Sequence, residues 1–257
     1  MGAALGAKLF MHSVRLVLGD WRNAVRISGL LYLIYAVPTF LLRLLFPVPS
    51  EPETAADAMA ALSAAPIALL TALFALVAFV WIAVAWHRYV LLDEMPVGRI
   101  PAFNGSRWLG YLGYSLAVGL IMLVAAVVVG LAAGIVFAIV APLAFLAAIA
   151  AMAAALVVGY RLAPLMPAAA VGQPLGFRAA WEATEGATMD IVVLAIVSAV
   201  AAFLIDLPAA VLSLAGPAGY FLALMWMLGS DWLKMLVGVS ILTTLYGVYV
   251  ERRALPA

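Results

Sequence analysis

The sequence predicts an all-α integral membrane protein of six transmembrane helices with both termini cytoplasmic. Three observations carry that expectation. Between Arg107 and Arg161 lie 53 residues without one Asp, Glu, Lys, Arg or His. As a single helix they would rise about 80 Å at ~1.5 Å per residue. A hydrocarbon core is only ~30 Å thick, so the stretch must fold back as two spans. The chain is also 68% hydrophobic and only 10% charged, against roughly 25% charged in soluble domains. The third observation is where the bases fall. With the N-terminus inside, eleven of the thirteen Lys and Arg residues lie on the cytoplasmic side, and only Arg43 and Lys234 lie toward the outer side, as the positive-inside rule demands.

The elements follow in order. Lys8, His12, Arg15, Arg22 and Arg26 are spaced by three, four or seven residues, which places them on one helical face with Phe10 and Val17 opposite. An amphipathic helix over about 5–22 is therefore expected in the headgroup region of an anionic leaflet. No compact apolar run with a small-residue cleavage site occurs in 1–29, so this segment is expected to be an anchor and not a cleaved signal. The first span is expected at 24–46, with Pro38 as a kink. A Pro- and Ala-rich connector leads to the second at 66–86.

The third and fourth spans, 108–133 and 138–160, divide the charge-free stretch and turn near Gly134 or Pro142. Gly130 and Gly134 make a GxxxG pair that would let helices approach closely. In 175–185 Arg178 and Glu182 form an i,i+4 pair and Gly186 follows, which predicts a short cytoplasmic helix before span five. The fifth span is expected at 188–211, bent near Pro208. Residues 217–229 are apolar but only 13 long, so they are expected to lie at the interface or re-enter partway. The sixth span is expected at 233–250. Trp21, Trp86, Trp108, Tyr160 and Trp232 sit at span ends and suggest aromatic belts. No polar block is long enough for a separate soluble domain, so 1–257 is expected to be one polytopic membrane domain.

The two long cytoplasmic segments echo one another. Each begins with an arginine at the end of a span, Arg88 and Arg161. Val97, Gly98 and Phe103 recur at the same spacing as Val171, Gly172 and Phe177, with Trp108 and Trp181 following. A parallel duplication of span, loop and span would produce this. Three identities in apolar sequence also arise by chance.

Arg161, Pro167, Gly172, Trp181, Thr184 and Gly186 form a pattern over 161–186: an arginine after a span, a Pro-containing apolar run, a turn, then a short helix with Trp and Thr before Gly. This resembles the multi-span bacterial membrane proteins related to the membrane domain of glycerophosphodiester phosphodiesterases. The six-span layout and the amphipathic N-terminal helix are similar too. Val171 stands where such relatives often have a glutamate. The resemblance implies a membrane domain of unassigned function. It implies no phosphodiesterase chemistry, which belongs to a separate soluble barrel.

The chemistry-bearing residues are few. Cysteine is absent, which excludes disulfides, thiolate metal sites and cysteine nucleophiles. A net charge of +1 argues against nucleic acid as a partner. Asp93 with Glu94, and Glu182 with Glu185, sit beside Arg88, Arg99 and Arg178 and are read as surface ion pairs. His12 and His87 are both placed near the cytoplasmic interface, and no histidine lies deep in a span, so no metal or cofactor is expected. Ionisable groups at membrane depth are the stronger candidates. Asp206 in the fifth span is expected to pair with Arg43 in the first and to lock two helices. Asp190, at the inner start of its helix, suits the helix dipole. His87, Arg88, Asp93, Glu94, Arg161, Arg178 and Trp181 are expected to form a cytoplasmic interaction face.

These features point to a non-catalytic protein of a bacterial cytoplasmic membrane, the Ala- and Gly-rich composition fitting a GC-rich genome. An accessory, assembly or organising subunit of a larger membrane complex is the leading expectation, with membrane lipids and other membrane proteins as partners. A transporter or lipid-handling protein is the alternative, supported by the kinks and the broken segment. A polar cavity lined by Asp206 would favour the alternative, and a dry bundle with an apolar flank would favour the subunit.

Overall fold

The computed structural model describes residues 2–45, 54–137 and 144–255. Every regular element among them is helical. Six helices are long and apolar enough to cross a membrane, over Trp21–Leu42, Leu62–Leu92, Gly105–Ile135, Leu146–Val171, Thr188–Ser213 and Gly216–Val250. The chain is a multi-pass membrane protein.

Helix α1 (Gly2–Leu18) joins α2 (Trp21–Leu45) through a tight turn at Gly19 and Asp20. Lys8 and Arg15 are exposed on its polar side, as an interfacial helix requires. The opposite side is packed into the protein. Gly6, Leu9, Ser13 and Val17 form a buried stripe against α8 (Thr188–Ser213) and α9 (Gly216–Leu245). Only glycine fits at position 6, because a Cβ there would lie 2.4 Å from the Asp190 carbonyl oxygen and 2.8 Å from Val193 Cβ.

Helix α3 (Ala55–Leu92) begins eleven residues before the expected span and carries Pro66 inside it. Helices α4 (Gly105–Phe137) and α5 (Ala144–Leu162) pack on each other along the charge-free stretch. Gly134 lies within α4 and is not the turn, while Pro142 lies outside the described residues. A Cβ on Gly130 would meet Ala151 Cβ at 3.3 Å, whereas nothing lies within 4 Å of the corresponding point on Gly134. One glycine of the GxxxG pair therefore sets the close approach of α4 and α5.

The segment after α5 is less polar than expected. Helix α6 (Leu165–Val171) is buried from Leu165 to Ala170 and packs against α3 and α4. It stops at Gly172, whose φ of 84° is left-handed, and the guanidinium of Arg107 packs onto that glycine. Helix α7 (Phe177–Ala183) is the expected short helix. The internal echo has no local counterpart: Gly172 ends a buried helix, while Val97 and Gly98 lie in an exposed loop.

The largest correction concerns 217–229. These residues neither re-enter nor lie flat. They form the first half of α9, which runs unbroken for 30 residues and continues through a π-helical turn, Tyr246–Val250. Pro217 occupies the first turn of α9, where a missing N–H removes no helical bond. α9 is the most buried of the six spans and touches α1, α2, α3 and α8. The segments carrying the eleven bases converge at one end of the bundle. Arg26 reaches the Pro96 carbonyl, Arg253 the Leu91 carbonyl and Arg88 the Ala170 carbonyl.

Candidate functional site

The continuity of α9 moves Lys234 from its expected place toward the outer side, together with Asp231, to the middle of a helix. Asp231 and Lys234 lie fifteen and eighteen residues from Gly216, roughly 22–27 Å along a helix axis. The register against α2 agrees. Trp232 donates to Ser28 Oγ at 2.8 Å and Tyr32 donates to the Leu228 carbonyl at 2.7 Å, level with the middle of the Trp21–Leu42 span.

Lys234 Nζ lies 2.5 Å from Asp206 Oδ1 on α8 and 2.9 Å from Asp231 Oδ1 one turn away on α9. Asp206 thus has Lys234 as its described partner; the expected pair with Arg43 was drawn to a side chain that lies outside the described residues. The sequence signal for Asp231 and Lys234 was their i,i+3 spacing. A separate 217–229 segment would hide that signal, because it would put the two residues beyond a break in the helix. The cluster holds two carboxylates and one ammonium. It opens to the outside of the bundle, with side chains 50% exposed at Asp206, 45% at Asp231 and 26% at Lys234. Beside it, between α2 and α9, is a cavity of about 180 Å³ lined by Tyr32, Tyr35, Thr39, Met227 and Asp231. Phe40 and Phe221, their rings 6.3 Å apart edge to face, lie next to it.

Inside the bundle several polar contacts join neutral groups, while Tyr249 donates to the Asp190 carboxylate at 3.4 Å and the other oxygen of that carboxylate is buried without a partner among the described residues. Trp86 Nε1 donates to Ser240 Oγ at 2.8 Å, His87 Nδ1 lies 2.8 Å from Thr243 Oγ1, and Ser13 Oγ lies 3.0 Å from Thr244 Oγ1. These bonds tie α1 and α3 to α9. His87 is fully buried and so is not part of a cytoplasmic interaction face. Trp86 and Trp232 are likewise internal hydrogen-bond donors and not belt residues, whereas Trp21 is exposed.

At the basic end, Arg88 pairs with Glu94 and donates to the Ala170 carbonyl. Arg161 stacks over the Trp181 ring at 3.7 Å and donates to the Trp181 carbonyl. Thr184 is buried and donates toward the Arg161 carbonyl. The Arg, Trp and Thr of the 161–186 pattern therefore brace α7 against α5. Asp93, Glu94, Arg178 and Trp181 remain exposed, as do Lys8, Arg15, Arg22 and Arg26. His12 is half-buried, and burial, aided by Arg15, holds its imidazole below the usual range. The hydroxyl of Tyr89 and the amide of Asn23 hold the Asp20 carboxyl below the usual carboxylate range. A second open feature, an apolar groove of about 650 Å³, runs between α4 and α5 from Val128 and Val124 to Phe177, Arg178 and Trp181 on α7.

Comparison with known proteins finds no matching family model, no matching curated protein and no matching solved structure.

Proposed function

We propose that this chain is a non-catalytic subunit of a larger membrane assembly, acting as an accessory or organising protein in a bacterial cytoplasmic membrane with both termini inside. The observation that carries the reading is a pair of half-exposed carboxylates within the spans, Asp231 near the middle of α9 and Asp206 seven residues before the end of α8. A carboxylate turned toward lipid at the centre of a helix costs on the order of 3 kcal/mol on insertion scales. A protein neighbour over that face removes the cost. The interior bonds of Trp86, Ser13 and Thr243 join neutral groups, and the ionisable groups His87 and Asp190 are not linked to each other by any described hydrogen bond. This supports a scaffold more than a conduit, because a relay needs a chain of ionisable groups. The gathering of bases at one end supports the orientation. The resemblance of 161–186 to multi-span relatives of the glycerophosphodiester phosphodiesterase membrane domain belongs to the same reading.

Purification of tagged protein at native expression in mild detergent, followed by mass spectrometry, tests the proposal. Stoichiometric recovery of other membrane proteins supports it, and recovery of the chain alone contradicts it. The groove on α4 and α5 favours a second reading, lipid handling. Transfer of a fluorescent phospholipid between vesicles by the purified chain would support that reading over the first.

A further inference from the structure

We propose that the face of α9 between α2 and α8 seats a partner transmembrane helix bearing one Lys or Arg at mid-span. This inference rests on the subunit reading and names the chemistry of the partner. Charge balance is the first argument. Asp206 and Asp231 carry two negative charges and Lys234 one positive, which leaves one negative charge among the described residues within two helices long and apolar enough to cross a membrane. Uncompensated charge in hydrocarbon is costly, and ionisable groups in spans pair with one another.

Geometry is the second argument. Lys234 meets Oδ1 of each aspartate, and both carboxylates remain half-open on the same side of the bundle. A guanidinium presents several donors in a planar fork and suits such a site, and an ammonium suits it as a point charge. The polar wall of the adjacent cavity, Tyr32, Tyr35 and Thr39, gives the incoming side chain a path that is not wholly apolar. A second copy of this chain fits less well, since it brings two more carboxylates with its one Lys234 and doubles the excess. An anionic lipid is repelled by the same charge.

The test uses the full chain in phosphatidylcholine vesicles with a synthetic helix of about 21 Leu and Ala residues carrying one central Arg, against the same helix with Leu. The chain has no cysteine, so Leu214→Cys in the exposed α8–α9 turn places a single fluorophore for energy transfer. The Arg helix is expected to associate about tenfold more tightly than the Leu helix, a ratio in the range of polar contacts between model helices in membranes. Asp206→Asn keeps the Asp231–Lys234 pair and the fold while neutralising the cluster, and it should erase the preference. Equal association of the two helices with the wild-type chain overturns the proposal. A preference that emerges only after Arg43→Met overturns it too, because the chain's own arginine would then hold the place. If an assembly purifies but the Arg helix shows no preference, the site falls and the subunit reading stands. If the Arg helix docks but the chain purifies alone, the site stands and the subunit reading falls.

Discussion

Lys234 shows how one side chain can hold a span together. It bridges α8 and α9 through Asp206 while pairing with Asp231 on its own helix. Lys234→Met would leave two unpaired carboxylates within the spans. It should lower the free energy of unfolding in a denaturing-detergent titration by about 2–4 kcal/mol. Adding Asp206→Asn and Asp231→Asn to that variant should restore most of the loss. Ser240 has a comparable role with neutral partners. Ser240→Ala would strand the buried Trp86 indole N–H, at a cost of about 1–3 kcal/mol readable in the same titration. At the membrane surface, Asp20 makes stability pH-dependent. Its carboxyl is held low by Tyr89 and Asn23, so its contribution is present above the unfolded carboxyl value. It is lost as pH falls through the depressed one. Tyr89→Phe should therefore destabilise the protein at neutral pH and narrow the difference between neutral and strongly acidic conditions in thermal melts.

Helix α1 exposes its bases on one side and is a packed element on the other. Gly6→Ala forces a methyl against the Asp190 backbone, and overpacking of this kind costs about 1–3 kcal/mol. The loss should appear as faster proteolytic release of the N-terminal segment, with the rest of the chain intact. The basic face of α1 was legible in the sequence because charge periodicity reports exposure. Its packed stripe was not, because Gly6 and Ser13 carry no apolar signal. The same limit explains α9. Length and apolarity locate five spans, the first, third and fifth within about four residues of their observed bounds and the second and fourth with ends up to eleven residues off. The sixth was cut in half, because Pro217, Gly229 and the charges at Asp231 and Lys234 look like breakers when read singly. Each has a local reason to be tolerated. The proline sits in the first turn, and the two charges pair with each other at i,i+3. The intramembrane site was half legible: Asp206 stood out, but its partner could be chosen only once the register of α8 against α9 was known.

The whole molecule divides into a tightly bonded half, α1, α2, α3 and α9, and a hairpin of low burial, α4 with α5. The bonds from Trp86, His87, Ser13 and Trp232 all converge on α9 or its partners, whereas α4 is the least buried span. Orientation can be read directly. Val97→Cys in the fully exposed α3–α4 loop should react with an impermeant maleimide only after cell lysis, and Leu214→Cys should react in intact cells. Reaction of both from the outside would refute the proposed topology. The central claim is that the carboxylates of Asp206 and Asp231 hold this chain in a larger assembly. Native gel electrophoresis of gently solubilised membranes, comparing wild type with Asp206→Asn/Asp231→Asn at native expression, tests it most directly. The account predicts a wild-type band well above the 27.0 kDa chain that collapses toward the monomer in the double variant. A wild-type band already at the monomer, or an assembly unchanged by the substitutions, would contradict it.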